Sequence, residues 1–248
     1  MPRQSAIDLS GKRVVITGAG GGIGRATAHA CAALGAELVL TDVVEFGDLT
    51  EELQADGVKL SSHQLDIADR RAVETLAESC GPVDAAVALA GICPLEEDWL
   101  QTAGWDDVFH RVMDVNVLGC LNVARAWLPR MAEAGDGRIV LVVSVGGRMG
   151  GVSPIVQPHY VASKGGVHAL VYWLARRAAP KGVLVNGVAP GPVATEMTQS
   201  TPYDPEKYPL RRVGRPEEIA WPIAFLCSPG ASYFSGAILD VNGGLYVG

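Results

Sequence analysis

Short apolar runs rich in Val, Ile and Leu recur along the chain and alternate with longer stretches whose apolar residues return at helical spacing. The runs predict seven strands, at 14–17, 37–41, 58–65, 83–89, 138–143, 183–188 and 237–241. The longer stretches predict helices, including one that ends near residue 34, one at 105–134 and one that ends near 180–182. Continuous apolar strands alternating with helices are typical of a parallel sheet covered on both faces. With right-handed crossovers, this order predicts an α/β fold, a doubly wound sheet of seven mainly parallel strands flanked by helices.

Bulk composition narrows the functional classes. The chain has 248 residues, no linker-like stretch and no internal repeat, so we expect one domain over residues 1–248. A formal charge of −7 argues against nucleic acid as a partner. No apolar run approaches the roughly 20 residues of a membrane span. Residues 1–8 lack the apolar core of a secretory signal, and we therefore expect a cytoplasmic protein.

The positions of the five cysteines and five histidines predict neither a disulfide framework nor a metal site. The cysteines are scattered, odd in number and without a Cys-x-x-Cys pair, which does not suit a disulfide framework. The histidines show no ligand spacing, so no metal site is expected. His159 and His168 are interpreted as packing or interface residues.

A glycine-rich turn, Thr17-Gly-Ala-Gly-Gly-Gly-Ile-Gly24, follows the first strand and opens the first helix. Glycine permits positive φ and lets the backbone approach a pyrophosphate closely. The helix N-terminus adds free N–H groups and a favourable dipole for an anion. This context predicts a dinucleotide site whose contacts from the turn are Gly18, Gly21, Gly22, Ile23 and Gly24.

Asp42 ends the second strand, eighteen residues after Gly24. A carboxylate there accepts hydrogen bonds from ribose hydroxyls and repels a 2′-phosphate. Its neighbour Val43 supplies no cation, and Arg25 is expected to be solvated at the helix start. The predicted cofactor is therefore NAD in preference to NADP. Asp66 and Ile67, at the end of the third strand, are placed to meet the adenine.

Tyr160 and Lys164 lie four residues apart, on one face of the predicted helix. An ammonium group beside a phenol favours the phenolate, which suits general acid–base work. The same spacing occurs on ordinary solvated helices, so the pair alone is a weak indication.

The ordered set of motifs resembles the classical short-chain dehydrogenases/reductases over essentially the whole chain. The set comprises the Thr-Gly-x-x-x-Gly-Ile-Gly turn, Tyr160-x-x-x-Lys164, Pro190-Gly191 and a terminal Val-Asn-Gly-Gly. The resemblance implies a Rossmann-type fold and an oxidoreductase. It also implies a homotetramer or homodimer, which suits the broadly apolar sequence of the Tyr160 helix.

The resemblance further implies a role for each of four residues. Tyr160 exchanges a proton with the substrate oxygen, and Lys164 lowers its pKa and bonds the nicotinamide ribose. Ser144 polarises the substrate oxygen. Asn116 fixes a water that continues the proton path. The residues implied to receive the nicotinamide end are Pro190, Gly191, Val193 and Thr195.

Three departures from the family pattern concern the surroundings of the site. Ala88-Leu89-Ala90-Gly91 stands where Asn-Asn-Ala-Gly is common, although Ala90 and Gly91 still permit close nucleotide approach. Ser144 precedes Tyr160 by sixteen residues, about three more than usual, which predicts that loop 146–158 modifies the substrate wall. The segment between Thr195 and residue 209 is short, which suggests a smaller lid and a more open pocket.

We therefore expect an NAD-dependent dehydrogenase that interconverts a secondary alcohol and a ketone, with an apolar or cyclic substrate. Its specificity is expected in loops 93–105, 146–158 and 196–210, where Arg148 and Glu196 are candidates to contact a polar tail. Trp99 or Trp105 is a candidate pocket wall, with helix packing as the alternative. Two functional alternatives stay open: a 3-oxoacyl-type ketoreductase, and a non-catalytic NAD-binding scaffold.

Overall fold

The computed structural model describes residues 5–199 and 203–248. The first four residues of the N-terminal segment, and three residues of the 196–210 loop, lie outside that range. The described residues form one seven-stranded sheet in the order β3-β2-β1-β4-β5-β6-β7, and every pairing is parallel. The strands are β1 Arg13–Thr17, β2 Glu37–Asp42, β3 Leu60–Gln64, β4 Ala85–Ala88, β5 Gly137–Val142, β6 Val183–Pro190 and β7 Ile238–Val241. The predicted fold class is confirmed.

Helices cover both faces of the sheet. They are α1 Gly22–Ala33, α2 Leu49–Ala55, α3 Arg70–Ser79, α4 Trp105–Met113, α5 Gly119–Ala134, α6 Gly146–Met149, α7 Pro158–Ala178 and α8 Pro216–Cys227. Because side chains alternate along a strand, Val14 and Ile16 of β1 pack into the core beneath α1, α2 and α8. Val15 points into the other core, beneath α3, α5 and α7. The central strands β1, β2, β4, β5 and β6 are therefore buried on both faces, as their apolar sequences predict, whereas the edge strands β3 and β7 are partly exposed.

The strand order reverses at β1, which lies between β2 and β4. Chain segments leave the sheet in opposite directions at such a point, so a crevice opens at the carboxyl ends of the strands. The glycine-rich turn follows β1 and the loop at 89–94 follows β4, and both therefore reach this crevice.

The predicted helix at 105–134 is interrupted. A π-helical turn at Asp114–Leu118 separates α4 from α5, and Asn116 within it is 0% exposed. Single π turns inside helices are frequent at functional sites because they redirect a side chain. Here the turn directs Asn116 toward the loop after β4.

The ends of elements follow recognisable local chemistry. Asp69 caps α3 by accepting hydrogen bonds from the backbone N–H groups of Arg71 and Ala72, at 2.9 and 3.2 Å. Pro158 stands at the first position of α7, where its missing N–H is not needed. No helix among the described residues is long and apolar enough to cross a membrane.

Candidate active site

A cavity of about 770 Å³ opens at the carboxyl ends of the strands. It brings together most of the residues that the sequence predicts for the cofactor and the chemistry. Those that line it are Gly18, Gly21, Gly22, Ile23, Asp42, Val43, Asp66, Ile67, Ala90, Gly91, Ser144, Tyr160, Lys164, Pro190, Gly191, Val193 and Thr195. Two predicted residues, Gly24 and Asn116, do not line the cavity.

The glycine-rich turn has no room for side chains at two points. Gly18 has φ of +70°, and a Cβ there would lie 2.7 Å from the backbone of Ala90. A Cβ at Gly24 would collide with the carbonyl oxygen of Gly18. The turn therefore packs directly against the start of α1 and against the segment after β4. This leaves the backbone N–H groups at the start of α1 facing the cavity.

Thr17 ties the ends of β1 and β4 together. Its Oγ1 accepts hydrogen bonds from the N–H groups of Leu89 and Ala90, at 3.1 and 3.3 Å, and donates to the carbonyl oxygen of Val87. The threonine therefore supplies a side-chain link at the sheet end where the common Asn-Asn pair is replaced by Ala88-Leu89.

Asp42 is held rigidly at the end of β2. Its Oδ2 accepts a hydrogen bond from the Gly20 N–H at 2.9 Å, and its Oδ1 accepts from the N–H groups of Val43 and Val44 at 2.7 and 3.3 Å. The carboxylate thus has a fixed position beside the turn. Arg25 is not merely solvated: it forms an ion pair with Asp48 and donates to the carbonyl oxygen of Phe46.

Tyr160, Lys164 and Ser144 meet where β5 ends and α7 begins. Lys164 Nζ lies 5.8 Å from the centre of the Tyr160 ring and donates a hydrogen bond to the Val142 carbonyl oxygen at 2.9 Å. The Ser144 hydroxyl is hydrogen-bonded to Tyr160 and accepts from the Gly146 N–H at 3.0 Å. A phenol, a hydroxyl and an amine therefore converge at one end of the cavity.

Burial dominates the ionisation of this group. It raises the pKa of Tyr160 above its ordinary value, and the hydrogen bond from Ser144 opposes this only in part. Burial also lowers the pKa of Lys164. Lys164 is not among the causes of the Tyr160 shift, and the expectation that Lys164 lowers the pKa of Tyr160 stays a prediction.

Asn116 uses its amide to fix the backbone. Its Nδ2 donates to the carbonyl oxygen of Ile92 at 2.9 Å and to Ser163 Oγ at 3.0 Å, while its Oδ1 accepts from the Ile92 N–H at 2.8 Å. These bonds join the loop after β4 to α7. The role of Asn116 in holding a water stays a prediction.

Several cavity residues escaped sequence reasoning. Ile92 follows β4 at the carboxyl edge of the sheet, next to Cys93 and Pro94, which begin the predicted specificity loop 93–105 and also line the cavity. Burial raises the pKa of the Cys93 thiol to about 11, so it is a neutral side chain at neutral pH. Arg111 and Val115 enter from α4 and the π turn, whose direction the helical pattern did not reveal.

The expected specificity residues divide into two groups. Glu196 lines the cavity, whereas Arg148 does not: it forms an ion pair with Asp240 at 3.2 Å. Trp99 is 54% exposed and away from the cavity, and Trp105 stacks on His159 with ring centres 5.7 Å apart.

Loop 146–158 also differs from expectation, because it does not line the cavity. Gly147 packs so closely on the backbone of α7 that a Cβ would lie 2.7 Å from the Gly165 nitrogen. The start of the loop is therefore held against α7, beside the catalytic candidates and not in front of them.

Comparison with known proteins shows similarity along nearly the whole chain. A family model described as enoyl-(acyl carrier protein) reductase matches residues 18–246. Galactitol 2-dehydrogenase (L-tagatose-forming) from Cereibacter sphaeroides is 40% identical over 258 residues, covering 100% of both chains. A solved structure described as an NAD(P)-dependent gluconate 5-dehydrogenase from Beutenbergia cavernae, with bound NADP, is 32% identical with a TM-score of 0.90, covering 97% of this chain and 99% of that one. A 3-oxoacyl-[acyl-carrier protein] reductase from Brucella melitensis with bound NAD is 33% identical with a TM-score of 0.88, covering 99% and 95%.

Proposed function

The chain belongs to the short-chain dehydrogenase/reductase family of oxidoreductases, and on that premise we propose that it is an NAD-dependent enzyme interconverting a secondary alcohol and a ketone. The observation that carries the proposal is the shared cavity: the glycine turn and Asp42 form one end, and Tyr160, Ser144 and Lys164 form the other. The whole chain then acts as a single dinucleotide-binding and catalytic domain.

The residues present fit a nicotinamide dinucleotide. The turn brings bare backbone to the start of α1, and a Cβ at Gly18 would collide with Ala90 and displace the turn from this position. Asp42 accepts from the adenosine ribose, and Asp66 with Ile67 borders the adenine. Pro190, Gly191, Val193 and Thr195 hold the nicotinamide end. When bound, the cofactor accepts or supplies the hydride.

The preference for NAD rests on charge. The Asp42 carboxylate is fixed by three backbone N–H groups and cannot turn away from a 2′-phosphate without losing them. Arg25, the cation that directly follows the glycine turn, is engaged with Asp48. Similar structures hold NADP in one case and NAD in another, so the choice depends on this chain's own residues.

Proton transfer is assigned to the three side chains that converge at one end of the cavity, Tyr160, Ser144 and Lys164. Tyr160 exchanges a proton with the substrate oxygen, and Ser144 holds that oxygen by a hydrogen bond. Lys164 keeps two N–H groups beyond its bond to the Val142 carbonyl, and these are available to a ribose hydroxyl. Asn116 holds the loop after β4 in place and fixes the water at the end of the proton path.

The substrate end favours an apolar or cyclic alcohol. Its wall includes the apolar or neutral residues Ile92, Cys93, Pro94, Val193 and Met197, and Arg111 also lines the cavity. A neutral thiol and hydrocarbon groups offer shape and burial and few directional bonds. Glu196 lies at the edge of this wall and is available to a polar tail.

A 3-oxoacyl-type ketoreductase is the second candidate, because the similar Brucella melitensis protein carries that description. The two candidates differ in what they reduce. A short 3-oxoacyl thioester would be turned over faster than cyclic ketones by the second candidate and more slowly by the first.

The decisive experiment measures the absorbance of NADH with a panel of secondary alcohols, ketones and 3-oxoacyl thioesters, using NAD and NADP separately. We expect turnover with NAD, on a cyclic or apolar alcohol, that is lost in the Tyr160→Phe variant. Binding of NAD with no turnover on any member of the panel would instead support a nucleotide-binding scaffold.

The exposed face of α7 supports assembly into a homodimer or homotetramer. Tyr172 and Trp173 are 47% and 51% exposed, while Val167 and Val171 on the other side of the helix are buried in the core. A large aromatic surface of this kind is more stable when covered. Light scattering during size-exclusion chromatography tests this assembly directly.

A further inference from the structure

His168 lies beneath the site, one helical turn after Lys164, and is 7% exposed. Its Nε2 is 2.9 Å from the backbone carbonyl oxygen of Ser144. Its Nδ1 is 3.5 Å from Nε of Arg148. Both ring nitrogens therefore have partners, and one partner belongs to a residue of the site.

The partners determine which nitrogen carries the proton. A carbonyl oxygen only accepts hydrogen bonds, so Nε2 must carry the proton and donate it to Ser144. The Nε–H of Arg148 only donates, so Nδ1 must be the unprotonated acceptor. A charged imidazolium would place two N–H groups against each other at Nδ1. The arrangement is thus specific for one neutral tautomer of His168.

The surrounding charges stabilise this neutral form. Arg148 is held by Asp240, with Nη1 to Oδ2 at 3.2 Å, and its guanidinium lies 5.0 Å from the ring centre of Tyr246. Burial and the positive charges of Arg148 and Lys164 lower the pKa of His168, while the Ser144 carbonyl and Asp240 oppose that shift. These groups come from β7, the C-terminal segment, α6 and α7.

We propose that His168 is a positioning residue for Ser144, kept in the donating tautomer by the Arg148–Asp240 pair. The inference rests on the proposed function, in which the Ser144 hydroxyl holds the substrate oxygen. The Ser144 carbonyl accepts from two donors, His168 and the Gly147 N–H at 3.1 Å. Its hydroxyl is fixed separately by Gly146 and Tyr160. The position of the Ser144 backbone, and with it the position of the hydroxyl, therefore depends on His168.

The test compares His168→Leu with His168→Gln. Leucine fills the space without a donor, whereas the glutamine amide both donates and accepts. We expect His168→Leu to lower kcat about tenfold, the effect of losing one hydrogen bond in the transition state. The Kd for NADH should stay within about threefold, because the cofactor contacts lie elsewhere. His168→Gln should recover most of the lost kcat.

Two controls separate positioning from packing. Val171 is buried on the same helix one turn nearer the C-terminus, so Val171→Ala perturbs the core without touching Ser144. That variant should lower the unfolding temperature while leaving kcat near the parent value. In a Ser144→Ala background, His168→Leu should have no further effect on kcat, because the hydroxyl it positions is gone.

Nitrogen NMR of the parent protein reads the tautomer without any variant. We expect His168 to show an Nε2-protonated ring, with slow exchange of that proton, from about pH 6 to 8. An Nδ1-protonated ring would overturn the inference, as would a kcat within about twofold of the parent for His168→Leu. Persistence of the full effect in the Ser144→Ala background would also overturn it. If Ser144→Ala and Tyr160→Phe themselves spared turnover, the proposed function would fail first.

Discussion

Replacing Asp42 by Asn should convert the cofactor preference from NAD toward NADP. The change keeps the size of the side chain and one acceptor oxygen for the backbone N–H groups of Val43 and Val44, while the amide nitrogen replaces the oxygen that accepts from Gly20. It removes the negative charge that we propose faces the adenosine ribose. The fold should therefore lose only the bond from Gly20, while the response to a 2′-phosphate changes.

The magnitude follows from Coulomb's law. Two unit negative charges about 4 Å apart repel by about 4 kcal/mol near a protein surface and by about 1 kcal/mol in bulk water. Asp42 is half-buried at the cavity edge, so its repulsion of a phosphate lies between these limits and is reduced by salt. A repulsion of about 2–3 kcal/mol corresponds to a 30- to 150-fold change in affinity, at about 1.4 kcal/mol per tenfold.

The assay is the ratio of kcat/KM for NADP to that for NAD, measured at low and high salt. We expect Asp42→Asn to raise this ratio about 30-fold or more, with a smaller rise at high salt. Asp66→Asn is the matched control, because this carboxylate lines the same cavity at the end of the next strand. It should alter both cofactors alike. A parent enzyme that already prefers NADP, or a ratio unchanged in Asp42→Asn, would refute the reasoning.

Three further predictions concern the proton, the turn and the core. Because burial raises the pKa of Tyr160, alcohol oxidation should accelerate as pH rises from about 7 to 10, and a rate that falls over that interval would contradict the assignment. Gly18→Ala should weaken NADH binding at least about tenfold, whereas Gly150→Ala, with φ of +78° but no atom within 4 Å of the new Cβ, should bind as the parent does in a fluorescence titration. His159 is 0% exposed, and neither of its ring nitrogens has a hydrogen-bond partner among the described residues. His159→Phe should therefore raise the free energy of unfolding by about 1 kcal/mol in a denaturant titration. A loss of stability would show that the imidazole nitrogens do have hydrogen-bond partners.

The sequence could predict what depends on local pattern. Alternating apolar runs and helical stretches are enough to specify the sheet, since parallel strands buried on both faces leave a plain hydrophobic pattern. The ends of those strands then place Asp42 and Ser144 at one edge. The glycine turn is predictable because its conformation forbids other residues at Gly18.

What escaped prediction depends on how distant segments pack. The pKa of Tyr160 is set by burial between β5 and α7, which spacing along one helix does not reveal. Arg148 was expected near the substrate, but its partner Asp240 lies on β7, far away in sequence. The sequence predicts only a packing or interface role for His168, because its contact with the Ser144 carbonyl joins α7 to the end of β5 and is not visible in the pattern of one helix.

The most direct test of the central claim is a single-turnover measurement of hydride transfer in the parent and in Tyr160→Phe. Saturating NAD and an alcohol substrate should be used, and NADH binding measured alongside. We predict a rate reduced by at least about 100-fold, the usual contribution of a general acid–base, with the Kd for NADH unchanged. Hydride transfer at the parent rate in Tyr160→Phe would contradict the account.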